Sequence, residues 1–359
     1  MQQKRGYGAL LRVPGFGQLY ISLLLGRLGG GMLAITLILF VLARYNSPQL
    51  AGFTAFLAIF PGLVVSPIAG ALLDRRGRVG FITLDYMVAT ASVLLIAGLA
   101  ARNALPAPLV GPEWTLAFTA ALFAISALAI FGLHDPSQKS ATGRSILGDA
   151  WSGLVYVARN ATLRGLALTL STFNVGFGIL EIAIPVLVLS RLHRGPAEVG
   201  FLWGLMGVGG LAATLVSGRF KTEGRERQLM LGAILVQAAA LVALPFAQSY
   251  WVVAVVIVIV GISAGPFDIS LFTLRQRRTN PAWFGRAFAV SMSLNFVGMP
   301  LGSALAGPLI GQSLNVALWA AVAFALIAGV FPFLTIPQAE EERPLAPDQP
   351  ARHQADETC

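Results

Sequence analysis

Ten long, mostly apolar stretches follow one another along this chain, and only a lipid bilayer accommodates so many at this length. They occupy residues 18–43, 50–73, 79–101, 114–133, 165–190, 199–218, 228–247, 251–274, 286–310 and 315–337. Each reaches the roughly 20 residues that a helix needs to cross about 30 Å of hydrocarbon. Within each run the apolar residues are continuous and do not alternate, which excludes the strands of a membrane barrel. Composition agrees: 56% of the 359 residues are hydrophobic and 11% charged, against about 25% charged in soluble domains. The fold class expected is an all-α membrane protein, a polytopic bundle of about ten transmembrane helices.

The net charge of +9 raises nucleic-acid binding as a possibility, so the placement of the basic residues decides. With a cytoplasmic N-terminus, twenty of the 25 Lys and Arg fall in inner loops and tails, four in outer loops, and Arg27 within the first span. The positive-inside bias thus predicts both termini inside and an even number of spans, in a multi-pass plasma (inner) membrane protein. No loop interleaves basic residues with stacking aromatics, so nucleic acid is not expected as a partner. The first span is too long for a signal-peptide core and lacks a small-residue cleavage site, which predicts that it is retained. Cys359 is the single cysteine and has no internal partner for a disulfide.

His134, His193 and His353 are scattered over two loops and the tail, a spacing that offers no metal site. Neither a nucleophile elbow nor a phosphate-binding loop is present. We therefore expect no cofactor and no enzyme, and any pumping must draw on an ion gradient.

The longest internal loop divides the runs into four and six. The expected organisation is an N-terminal transmembrane half (1–133), a cytoplasmic linker (134–164), a C-terminal transmembrane half (165–337) and a disordered cytoplasmic tail (338–359) rich in Pro, Glu and Asp. In the linker, Leu147, Trp151, Leu154, Val155 and Ala158 recur at helical spacing, which fits a helix on the inner membrane surface or a short soluble linker helix. A degraded repeat is visible too: "LLDRRGRVGF" and "RFKTEGRERQL" share a Gly-Arg pair, Gly77-Arg78 and Gly224-Arg225. Transporters are often built from such repeated halves around a central site.

The loop Gly70-x-x-x-Asp74-Arg75-x-Gly77-Arg78 resembles the signature loop of the major facilitator superfamily, which joins the second and third helices. "SILGDAWSGLVYVARNATLRGLAL" resembles the linker of its drug, macrolide and siderophore exporter branch, and "LRQRRTNPAWFGRAFAV" the entry to the eleventh helix there. The resemblance implies a secondary transporter that rocks two bundles around a cavity, with Asp74 as a gating contact to the start of the ninth span. An ordinary member has six helices before the linker; here there are four. "LVGPEWTLAFTAALFAISALAIFGLHDP" reads like the usual sixth helix and follows the third directly. The usual fourth and fifth helices are thus expected to be absent, and with them the acid that pairs with the signature-loop arginine.

Ionisable groups at membrane depth cost about 2.5–3.5 kcal/mol each on insertion scales and need a reason. Glu181 lies 16 residues after Gly165, about 24 Å along a helix. Asn174, Gly178 and Glu181 share one helical face, with Phe173 and Phe177 beside it. That face is expected to line a cavity, Glu181 attracting a cationic substrate or carrying a proton; a structural carboxyl is the alternative. Arg27 is expected to pair with Asp85 or Asp268, or else to bind an anionic substrate group. Asp85 follows Arg78 by seven residues and Asp268 precedes Arg275 by seven, spacing that fits ion pairs near the membrane interface. Asn295 either lines the cavity or makes an interhelical hydrogen bond.

The function expected is secondary active export of amphiphilic small molecules by alternating access, with a proton or another ion as the coupling partner. The alternative is a non-transporting, degenerate or truncated relative acting as scaffold or sensor. The chain is expected to work as a monomer, or as an oligomer if the shortened half needs covering.

Overall fold

A computed structural model of the chain describes residues 14–76, 79–101, 112–130, 146–219, 222, 224–280 and 283–337. Over these residues the secondary structure is helical. In order, α1 is Phe16–Tyr45, α2 Pro48–Arg76, α3 Val79–Ala101, α4 Pro112–Ile130, α5 Ile146–Arg159 and α6 Ala161–Val186. There follow α7 (Pro196–Ser217), α8 (Glu226–Leu241), α9 (Tyr250–Arg277), α10 (Phe284–Phe296), α11 (Gly298–Gln312) and α12 (Leu314–Thr335). Among the described residues, eight segments are long and apolar enough to cross a membrane. The third and fourth expected spans are the helices α3 and α4, of 23 and 19 residues, which contain the shorter apolar stretches Ile82–Leu94 and Thr119–Ala129.

In hydrocarbon, apolar surface alone does not bring helices together, so close backbone approach and interhelical hydrogen bonds must do so. In the first half, α1 turns Ser22, Gly26 and Gly29 inward. The Ser22 hydroxyl donates to the Ser126 carbonyl of α4 at 2.8 Å. Gly26 gives room to the Tyr86 ring and Gly29 to Phe123, so α1 closes on α3 and α4 through small residues. In the second half α6 is the central rod, with Ile179, Ile182 and Ala183 fully buried between α11 and α12. Across the bundle, α7 meets α9, where Gly261 and Gly265 abut the α7 backbone at Met206 and Ala213.

Local chemistry sets the ends. Asn160 caps α6, its side-chain oxygen accepting from Leu163 N at 3.0 Å, a bond worth about 1 kcal/mol. The same amide donates from Nδ2 to the Arg278 carbonyl at 3.1 Å, tying the start of α6 to the end of α9. Ser313 caps α12 in the same way. Gly224, of the degraded Gly-Arg repeat, has φ +75°, a left-handed turn that glycine enters without a Cβ penalty. Beyond Pro185 the last turn of α6 opens into a π-helical segment, Leu187–Arg191.

The ninth expected span is the apolar segment Ala287–Gln312, in which α10 and α11 meet at Val297. Pro300, just beyond that joint, brings no N–H to the ladder. The linker forms the helix α5, packed on the bundle. Tyr156 and Val157 are buried against Leu163, Ala287 and Val290, while Trp151 stays exposed. Gly77, Arg78, His134, the 102–111 loop and the 338–359 tail lie outside the described residues.

Candidate functional site

Glu181 occupies the middle of α6, and what surrounds it is set by glycines. Gly178, one turn before it, leaves no room for a Cβ against the Met299 carbonyl and the Ser303 amide of α11. From the other side, Gly302 abuts the Val175 carbonyl and Gly298 the Ser171 carbonyl. The two backbones therefore run in contact for about two turns, and Glu181 sits within this seam at 6% exposure. Its hydrogen bond comes from the Ser303 hydroxyl, whose single proton is shared between Glu181 Oε2 at 3.3 Å and the Met299 carbonyl at 3.1 Å. Among the described residues no cation pairs with it.

Ser303 has a second role. Its carbonyl abuts Gly52 of α2, and Gly307, one turn on, abuts Gln49. α2 belongs to the first half, so the hydroxyl that holds Glu181 comes from a residue on the contact between the halves.

Asn174, Gly178 and Glu181, expected to line a cavity or, for Glu181, to be a structural carboxyl, share a face that α10 and α11 cover in this structure: Asn174 Nδ2 donates to the Asn295 carbonyl at 2.8 Å. Phe173 and Phe177 look elsewhere. Phe173 stacks on Phe267 of α9 at 5.2 Å, and Phe177 meets Trp203 of α7 edge-on at 5.9 Å. Both rings line a narrow cleft of about 10 Å³ with Leu180, Gln237, Leu241 and Ala325. Gln237, which the sequence reading did not single out, supplies the cleft's amide; one polar residue in an apolar run is the signal that marks it.

The other charges separate into two groups. Arg27 of α1 and Asp268 of α9 are both exposed and lie within electrostatic reach of each other, one from each half, without an ion pair to any described residue. Asp85 is exposed beside Tyr86. Arg275 contradicts the expected pair with Asp268: it is 1% exposed and packs between the rings of Phe272 and Phe288 at 5.7 and 5.5 Å. Seven residues put two side chains on one face but about 10 Å apart along the axis, and Arg275 turns into α10 instead. Asn295 is fully buried, its side chain directed at Met292 three residues earlier on the same helix. Gly70, Asp74 and Arg75 fall in the last turns of α2, with side chains outside the described set.

Residues 166–356 match a family model described as the Major Facilitator Superfamily. Over 399 aligned positions, taking in 94% of this chain and 98% of the relative, the sequence is 32% identical to an uncharacterised MFS-type transporter, y4rN, of Sinorhizobium fredii (strain NBRC 101917 / NGR234). The chain belongs to the major facilitator superfamily. Within the superfamily it is 27% identical to the multidrug efflux pump Tap of Mycolicibacterium fortuitum and 26% identical to the enterobactin exporter EntS of Shigella boydii (serotype 18, strain CDC 3083-94 / BS512). Those matches take in 77% and 86% of this chain but only 65% of each relative's length. Its fold is shared with the crystal structure of the nucleoside transporter NupG, at 13% identity and TM-score 0.65, covering 89% of this chain and 99% of that one. The human organic anion transporter MFSD10 (TETRAN) gives 18% identity and TM-score 0.65, covering 88% and 98%.

The y4rN alignment also carries a length difference. Since 94% of 359 residues is about 337, about 62 of the 399 aligned positions hold no residue of this superfamily member. A span with its turn takes about 25–30 residues, so two spans account for a gap of that size.

Proposed function

We propose that this chain is a secondary active exporter of amphiphilic small molecules, driven by a proton gradient through alternating access, with both termini cytoplasmic. The names of Tap and EntS support export, one of drugs and one of a siderophore. The observation that carries the proposal is the position of Ser303, whose hydroxyl holds Glu181 while its carbonyl abuts the other half of the molecule.

The mechanism follows from burial. A carboxylate in the α6–α11 seam has one neutral donor and no cation, and burying such a charge is costly. A proton on Glu181 removes that cost and keeps the seam closed. Its loss favours a seam that opens to water or to a cation, and opening moves α11 at its contact with α2. Proton occupancy is thereby linked to the relation between the halves, the element that alternating access requires.

For the substrate, Phe173 and Phe177 offer an aromatic wall with the Gln237 amide beside it. The crevice they line holds about 10 Å³, room for about one water, so an apolar part of the substrate enters beside these rings only as the surrounding helices part. Arg27 and Asp268, facing each other across the halves, supply the charged part of the path. The deciding test is efflux of a fluorescent amphiphile from proteoliposomes under an imposed pH gradient. Glu181→Gln is expected to abolish gradient-driven flux in a folded, inserted protein; unchanged flux would remove Glu181 from the mechanism.

A second reading, a non-transporting relative acting as scaffold or sensor, is favoured by one observation. α7 turns Gly200, Gly204 and Gly207 toward open space and exposes Phe201, Val208 and Leu211, small residues of the kind against which helices pack. This face and the gap of about 62 positions relative to y4rN fit the loss of the usual fourth and fifth helices. Monodisperse folded protein without flux in either direction would favour the second reading.

A further inference from the structure

Two charges of opposite sign stand exposed, one on each half of the molecule. Arg27 belongs to α1 and Asp268 to α9. Both side chains are exposed, they lie within electrostatic reach of each other, and neither makes an ion pair with a described residue. Their depths match. Arg27 stands eleven residues after Phe16 and Asp268 nine before Arg277, about 16 and 14 Å along the axes from those helix ends, which both face the cytoplasm when the termini do. The fold leaves room beside them. On α1, Gly30 and Gly31 follow Arg27 by three and four residues, on its face of the helix, and nothing lies within 4 Å of a Cβ built on either. On α9, Asp268 follows Phe267, which stacks on Phe173 of α6 at 5.2 Å, so an aromatic pair lies one residue from the carboxylate.

A charge at this depth is costly unless water, a partner or a ligand meets it. A direct pair would neutralise both groups most simply; held apart on separate halves, they present one positive and one negative pole to the same space. A purely cationic ligand satisfies Asp268 and is repelled by Arg27, and a purely anionic one does the reverse. A ligand carrying both signs satisfies the two together, through charge-assisted hydrogen bonds of the stronger kind. It also touches both halves at once, as a substrate bound at the interface of two repeats does. Asp85, which acts on Tyr86 together with Arg27, stands on α3 of the same half as Arg27 and cannot supply the pole of the second half.

We propose that Arg27 and Asp268 grip the two poles of one zwitterionic amphiphile, its anionic group on the guanidinium and its cationic group on the carboxylate, with the apolar part toward Phe173 and Phe267. This substrate class rests on the reading of both residues as part of the substrate path, and binding tests it apart from flux. The assay is equilibrium dialysis of radiolabelled hexylphosphocholine against the purified full-length protein in dodecyl maltoside, whose micelles carry neither charge, with protein-free micelles as the blank. One saturable site per chain is expected. Hexyltrimethylammonium and hexanesulfonate, of equal chain length with one charge each, should displace the probe only at concentrations about tenfold higher or more. Arg27→Gln should lower the affinity for the zwitterion about tenfold and bring the cation level with it; Asp268→Asn should do the same for the anion, and Asp85→Asn should change neither. The proposal is overturned by the absence of a saturable site, by a single-charge probe that equals hexylphosphocholine on the wild type, or by loss of the preference in Asp85→Asn in place of Asp268→Asn. The wild-type comparison needs no variant, so a variant that fails to fold leaves the test intact. Phosphatidylethanolamine added to the micelles separates the two sources of such a head: competition with the probe assigns the site to a bilayer lipid and no competition to a free solute, the zwitterionic site standing in both. Selective binding without proton-driven flux would sink the exporter reading and keep the site; proton-driven flux without zwitterion selectivity would do the reverse.

Discussion

The α6–α11 seam makes a quantitative prediction through Gly302. Gly302→Ala adds a single carbon, placed against the Val175 carbonyl closer than real Cβ atoms approach an oxygen. The obstacle is backbone on both sides, so no side chain can swing away, and the helices must separate by about 1 Å. A gap of that size forfeits a quarter to a half of each dispersion contact along the seam, and overpacking of this kind costs about 1–3 kcal/mol. The Ser303–Glu181 bond, already 3.3 Å, lengthens past hydrogen-bonding range and removes about 1 kcal/mol more. The sum is about 2–4 kcal/mol, offset by the few tenths to 1 kcal/mol that alanine gains over glycine in a helix. The comparison is Gly204→Ala, where nothing lies within 4 Å of the added carbon and only the helical gain remains. Thermal unfolding in detergent micelles should lower the midpoint of Gly302→Ala by roughly 2–5 °C and leave Gly204→Ala unchanged or raised. If both variants unfold together at the wild-type temperature, the seam is not in backbone contact and the environment assigned to Glu181 is wrong.

Two other outcomes follow from the charges and the termini. Arg27→Gln and Asp268→Asn should each lower flux of charged amphiphiles, and their double mutant should cost less than the two losses combined; additive losses would show that the two groups do not share a path. Both termini inside means that a membrane-impermeant maleimide labels Cys359, the single cysteine, in inside-out vesicles and not in right-side-out ones; the reverse pattern overturns the topology.

Most of the helices were legible because a bilayer leaves them no alternative: about 20 apolar residues must satisfy their own backbone. Asn160, opposite a basic turn and ahead of an apolar run, falls where a cap is useful and is one. Glu181 stands out in the sequence for the same reason that Arg27 does, since intramembrane charge is costly. What surrounds Glu181 was not. Spacing shows that Asn174, Gly178 and Glu181 share a face, yet whether the face meets water or a helix depends on Gly298 and Gly302, more than a hundred residues away in sequence. Arg275 illustrates the same limit. Its spacing from Asp268 puts the two on one face but two turns apart, and the rings that capture it lie partly on another helix.

The linker offers one mechanical consequence. Tyr156 of α5 stacks on Trp283 at 5.1 Å, and its hydroxyl accepts from the Asn280 amide at 3.0 Å, both in the turn between α9 and α10. Helix α5 touches α2 of the first half and is fastened to the second at the turn between α9 and α10, so it braces the two halves against one another, where a loose strand of equal length would only limit how far apart they stray.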